Sequence, residues 1–144
     1  MREGRAMADE RAFRIVVASH GGLARAMLDS AAMICGPLGD AVALDLQPEQ
    51  TPEAFGDAIH AAIRGAGRPV LILTDLIGGT PHNVAQLACR QARASSLEVA
   101  CVSGANLGLL LEAAISVECL DPTTIERLVA AGRAGIAACA EVCE

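Results

Sequence analysis

Lysine is absent from the 144 residues, as are tryptophan and tyrosine, and phenylalanine occurs twice. Without lysine there is no Schiff-base chemistry, no Walker A phosphate loop and no receiver-domain lysine. Without aromatic rings there is no stacking platform for single-stranded nucleic acid. Positive charge is scarce too: 11 arginines face 17 acidic residues, for a net charge of −6. No basic run offsets this, so neither nucleic acid nor an anionic membrane is an expected partner. No apolar run approaches the ~20 residues that span a bilayer. Met1 to Arg11 are charged and lack the apolar core of a signal peptide. Residues 1–13 therefore read as a flexible leader, with Met7 a second candidate start. Residues 14–144 read as a single cytoplasmic domain.

The six cysteines fall at 35, 89, 101, 119, 139 and 143, and no pair has the Cys-x-x-Cys spacing of a zinc or redox site. Cys139 and Cys143 share a face if their segment is helical, but buried reduced thiols are the simpler reading. No metal and no cofactor is expected.

What is present is small and aliphatic: 53% of the residues are hydrophobic. A chain of this length can bury roughly two thirds of its unfolded surface. Four apolar runs read as strands: Ile15–Ser19, Val42–Leu46, Val70–Asp75 and Val99–Ser103. The first, third and fourth are nearly continuous, as for parallel strands covered on both faces.

Helical spacing fills the gaps between them. Leu23, Ala26, Met27, Ser30, Ala31 and Ile34 trace a first stripe, stopped by Gly36-Pro37. Phe55, Ala58, Ile59, Ala62 and Ile63 trace a second, opened by Thr51-Pro52 as cap and first residue. Val84, Leu87, Ala88 and Gln91 trace a third, opened by Thr80-Pro81 in the same manner. Leu107, Leu110, Leu111 and Ala114 form a short fourth. Asp121-Pro122 opens a fifth, with Ile125, Leu128, Val129, Gly132 and Ile136 inward. The order β-α-β-α-β-α-β-α-α predicts an α/β fold: an open, mostly parallel four-stranded sheet, order 2-1-3-4, with helices on both faces.

In such sheets ligands bind beyond the carboxyl ends of the strands, where strand order reverses. The first strand ends in Ser19-His20-Gly21-Gly22 and the third in Asp75-Leu76-Ile77-Gly78-Gly79-Thr80. In the order 2-1-3-4 these ends are neighbours, and His20 faces Asp75 across one crevice. The second strand ends in Gln47-Pro48-Glu49, which reads as plain loop. An imidazole is largely neutral and nucleophilic near pH 7. A carboxylate on one ring nitrogen fixes the tautomer, frees the other nitrogen and stabilises the ring once it is cationic. Backbone N–H groups of Gly21, Gly22, Gly78 and Gly79, with the Thr80 hydroxyl, are candidate donors to an anion at helix N-termini. Together they suit a phosphoryl acceptor, since phosphoryl transfer asks mainly for positioning and charge stabilisation. His60 reads as a surface or boundary residue. His82 lies close to the crevice and reads as solvent-facing, a possible partner contact. Asn106 reads equally as a helix cap and as a site-lining or partner-contact residue.

These residues resemble the IIA component of the mannose-type (mannose–fructose–sorbose) sugar phosphotransferase system. The resemblance covers about Arg14 to Cys139. It rests on Ile15-Val16-Val17-Ala18-Ser19-His20-Gly21, on Leu73-Thr74-Asp75-Leu76-Ile77-Gly78-Gly79-Thr80-Pro81-His82-Asn83, and on Val102-Ser103-Gly104-Ala105-Asn106-Leu107. The middle element is the distinctive one. The resemblance implies a cytoplasmic homodimer, with an exchanged antiparallel edge strand near the C-terminus. It implies that His20 accepts a phosphoryl group from HPr and passes it to a IIB protein. Asp75 matches the active-site aspartate of that family and Thr80 its site hydroxyl. The chain departs from the family at Gly108-Leu109, where Pro-Met is common, in a loop that helps shape the partner surface.

Other readings compete. A stand-alone regulatory phosphoprotein or binding module has the same residues without a transport role. A histidine phosphatase also carries a phosphorylated His after its first strand, but needs an Arg before it and a second His, for which His82 is the candidate. A receiver domain needs an acidic pair and a lysine. Dinucleotide binding lacks its Gly-x-Gly-x-x-Gly.

Overall fold

The strands run through the molecule because their residues are apolar on both sides. A computed structural model describes residues 11–116 and 118–139. Strands β1 (Arg14–His20), β2 (Val42–Leu46), β3 (Val70–Thr74) and β4 (Val99–Val102) form one sheet in the order β2-β1-β3-β4. All three pairings are parallel. Helices α1 (Leu23–Cys35), α2 (Pro52–Arg64), α3 (Thr80–Ala94), α4 (Leu107–Ile115) and α5 (Pro122–Ala134) complete the expected order.

Successive side chains of a strand point to opposite faces, so the sheet builds two cores. Ile15, Val17, Leu71, Leu73 and Val102 pack with α1, α4 and α5. Val16, Ala18, Val70, Ile72 and Val99 pack with α2 and α3. Each fully buried Leu or Ile stabilises the fold by about 1.5–3 kcal/mol relative to exposure. Phe13 is fully buried in the first core, the Arg11 guanidinium donates to the Ala114 carbonyl, and Arg68 donates to the Arg11 carbonyl.

The helices are close to their expected positions but three are rotated. In α1 the buried side chains are Ala24, Met27, Leu28 and Ala31, while Leu23 and Ile34 are exposed. In α3 they are Pro81, His82, Ala85, Ala88, Cys89 and Ala92, leaving Leu87 outside. The small-residue face of α3 is the one packed on the sheet, beside Val70, Ile72 and Val99, where short side chains allow a close approach. The stripe residue Val84 turns instead toward α2, where a Cβ on Gly56 would lie 3.2 Å from its Cγ1. In α4, Leu109 and Leu110 are buried, and α5 ends at Ala134, so Ile136 is exposed. No residue after α5 lies in a strand among the described ones, and the expected exchanged strand, like Cys143, falls outside them or beyond one chain. No helix is long and apolar enough to cross a membrane among the described residues.

Candidate functional site

The connection from β1 goes outward to β2 and that from β3 goes the other way to β4, so the connections leaving β1 and β3 diverge at the carboxyl ends of the strands. This is the reversal point, and His20 stands at it as the last residue of β1. β3 stops at Thr74, one residue short of expectation, and Asp75 takes over the hydrogen bonding. Its Oδ2 accepts the His20 backbone N–H at 3.0 Å and lies 2.9 Å from the ring Nδ1. A carboxylate oxygen can only accept, so Nδ1 carries the proton and Nε2 is left with its lone pair. The imidazole is 47% exposed and the carboxylate only 12%. A nucleophile open to a partner is thus held by a nearly buried acid. Burial pushes the Asp75 carboxyl up, but the bonds from the His20 backbone and ring outweigh it and hold the acid below its ordinary value. The second oxygen, Oδ1, is buried without a partner among the described residues.

Strand alternation turns the His20 ring toward the α2–α3 face, where it lies over Gly79. A Cβ there would sit 2.9 Å from Cε1 and 3.5 Å from Nε2. Gly78 has φ +83°, a conformation that favours glycine, and makes the turn that brings Gly79 under the ring.

The candidate anion donors separate into two groups. Gly21 N–H is bonded to the Leu46 carbonyl at 2.9 Å and Gly79 N–H to the Leu76 carbonyl at 3.1 Å, so neither is offered to a ligand. Gly22, Gly78 and Thr80 keep free N–H groups among the described residues. Thr80 is not a cap. Gly79 occupies that place, no side chain caps α3, and Thr80 lines the cleft beside His20. The α3 terminus, with its partial positive charge, is therefore open under the ring. Gln47 and Pro48, from the segment that reads as plain loop, form the other wall of that cleft with Gln50.

Two expected contacts are corrected. His82 is 6% exposed, with Nδ1 3.1 Å from Thr74 Oγ1. The first turn of α3 directs it inward onto β3, so the ring is not solvent-facing as expected. Asn106 accepts the Leu109 N–H at 2.9 Å and donates to the Gly132 carbonyl at 2.8 Å. It is the α4 cap and a tie to α5, with both ends of its amide turned inward. His60 is half-buried at the α2–α3 boundary, 2.6 Å from Gln91 Oε1.

Sequence reasoning missed Asp45. It lies opposite Ser19 in the β1–β2 register. Its Oδ1 accepts from Ala24 N–H at 2.9 Å and from Ser19 Oγ at 3.0 Å, and its Oδ2 from Arg25 N–H at 3.3 Å. No spacing signal announces a cap that reaches across from another strand; only the register does.

The family model for the PTS system fructose IIA component matches residues 14–131. The chain belongs to that family. It is 30% identical over 103 residues to the sorbose-specific EIIA component of Lacticaseibacillus casei, covering 71% of this chain and 72% of that one. Among solved structures, the mannose/sorbose-specific IIA subunit from Enterococcus faecalis is similar with a TM-score of 0.80 and 30% identity, over 92% of this chain and 97% of that one. The PTS IIA protein associated with the fucose utilization operon of Streptococcus pneumoniae matches with a TM-score of 0.74 and 30% identity, over 89% and 94%. The match to the family begins at β1 and runs into α5, so it contains His20, Asp75 and the α3 terminus together. A phosphotransferase role in a sugar phosphotransferase system follows from membership.

Proposed function

We propose that the chain is a phosphohistidine carrier: His20 accepts a phosphoryl group from HPr and passes it to a IIB protein. The observation that carries this reading is the 2.9 Å contact between His20 Nδ1 and Asp75 Oδ2, which leaves Nε2 exposed as the nucleophile. Nε2 attacks the donor's phosphorus as the donor's own bond to phosphorus breaks. The ring becomes cationic, with its Nδ1 proton held by Asp75. The phosphoryl oxygens, bearing roughly two negative charges, meet the Gly78 and Thr80 N–H groups, the Thr80 hydroxyl and the dipole of α3. A second attack, by the acceptor's nucleophile, reverses the step and restores the neutral ring. Exposed Leu23, Leu76 and Ile77 border the site and suit protein partners that must approach this closely.

The phosphatase alternative loses its second histidine, because His82 is buried against Thr74. The same reading makes residues 14–144 one domain, working in the cytoplasm as a homodimer. The β4 edge, unpaired on one side among the described residues, suits a strand from a second copy. Incubation with phosphoenolpyruvate, enzyme I and HPr should add one acid-labile, base-stable phosphate per chain. His20→Ala should abolish it. Labelling that survives this change would move the acceptor to another residue and refute the reading.

A further inference from the structure

Two helix N-termini flank the His20 turn, and they are treated differently. That of α3 has no side-chain cap. That of α1 has no cap from its own sequence either, because Gly22 occupies the position. It is closed from outside. Ala24 N–H donates both to Ser19 Oγ, at 2.7 Å, and to Asp45 Oδ1, at 2.9 Å, while Arg25 N–H reaches Asp45 Oδ2. Ser19, wholly buried, bridges the same carboxylate. Asp45 is thus a fixed negative charge at the α1 terminus, which would otherwise compete for an anion. Its Cα partner is the residue before the nucleophile. The guanidinium of Arg25 does not neutralise it, since that group turns along α1 toward Asp29, at 3.8 Å.

We propose that Asp45 is a positioning residue for the phosphoryl site: it closes α1 to anions, so that the phosphoryl group is received at α3, and its charge weakens the hold on that group so that it moves onward. This rests on the carrier reading of His20. Neighbouring strands lie about 4.8 Å apart, which keeps the carboxylate within roughly 10 Å of the ring. At that separation, in a water-like dielectric, a unit charge changes an equilibrium about four-fold for a free dianion and about two-fold for the phosphorylated imidazolium, whose net charge is −1.

The test is Asp45→Asn, which keeps an oxygen for Ala24 N–H and Ser19 Oγ and removes the charge. At fixed phosphoramidate and ammonium, the His20–phosphorus bond forms as the phosphoramidate P–N bond breaks and ammonia leaves. The ratio of phosphorylated to free His20, read by ³¹P NMR, should rise about two-fold at low ionic strength. Inorganic phosphate dianion, titrated while following the Gly78 and Thr80 amide signals, should bind about four-fold tighter. Both effects should contract toward unity in 0.5 M salt, which a purely structural role would not do. Asp45→Glu should return both to the wild-type values, and Asp45→Ser supplies a second neutral variant if the Asn protein does not fold. Unchanged ratios in a folded neutral variant, or changes that salt leaves intact, overturn the proposal. If phosphoramidate fails to label the wild type, the carrier reading falls, and the phosphate titration still decides what Asp45 does to an anion at α3.

Discussion

Asp75→Ala removes one carboxylate and, with it, two bonds to His20: the backbone bond at 3.0 Å and the ring bond at 2.9 Å. The backbone N–H sits at an open strand end and passes to water at little cost. The ring bond matters differently in the two states. In the resting protein it orients a neutral imidazole, but during transfer the ring gains positive charge and the bond becomes an ion pair. Hydrogen bonds to charged groups contribute about 1.5–3 kcal/mol. If that is realised mainly in the transition state, transfer from HPr slows about 10- to 150-fold. Stability should fall by only about 1 kcal/mol, a few degrees in Tm. Rapid-quench measurement of label moving from HPr to this chain gives the rate, and a thermal melt gives the stability. Asp75→Asn, which keeps a carbonyl for Nδ1–H but no charge, should fall between the two. A folded Asp75→Ala protein that transfers at the wild-type rate would refute the argument. So would a loss of rate that merely tracks the unfolded fraction.

Gly79→Ala should separate stability from activity. The residue has φ −76° and ψ 167°, open to any L-residue, so the fold should be unharmed. The new Cβ displaces the ring from Asp75 and should slow transfer by about tenfold on the same footing as above. Asp40 accepts two bonds from Arg68, both at 2.9 Å, and one from Arg14 at 3.1 Å. Asp40→Ala should cost about 1–2 kcal/mol in denaturant unfolding, a modest figure because the pair is partly solvated. Burial raises the Asp40 carboxyl, but Arg68 and then Arg14 outweigh it and leave it lowered. A lowered acid stabilises the fold above its ordinary value of 3.8, so the gap between wild type and variant should close as pH falls below that point. Thr51→Ala removes the hydroxyl that accepts Ala54 N–H at 3.1 Å and should cost about 1 kcal/mol with transfer unchanged. Gly132→Ala would set a Cβ 3.0 Å from Leu109 Cδ1, and overpacking should destabilise the α4–α5 contact by about 1–3 kcal/mol.

Strand order and the meeting of His20 with Asp75 were legible because parallel strands joined by right-handed crossovers admit few arrangements. The caps Thr51 and Asp121 were legible because a cap bonds within three residues of itself. What depends on register or rotation was not. Asp45 acts through a neighbour fixed only by the β1–β2 pairing. His82 is turned inward because the small-residue face of α3 packs on the sheet, whereas the periodic stripe favours the face with Leu87, which borders α2. A glycine turn reads as an anion donor at Gly21, but its N–H extends the bonding to β2. Thr80-Pro81 reads as cap and first residue by analogy with Thr51-Pro52, yet Gly79 takes the cap place and Thr80 is left lining the cleft.

The most direct test is to phosphorylate ¹⁵N-histidine-labelled protein through HPr and observe which nitrogen carries phosphorus by ³¹P–¹⁵N coupling. One phosphate per chain on Nε2 of His20, with Nδ1 still protonated, is the predicted result. Phosphate on Nδ1, on another side chain, or on none would contradict the account.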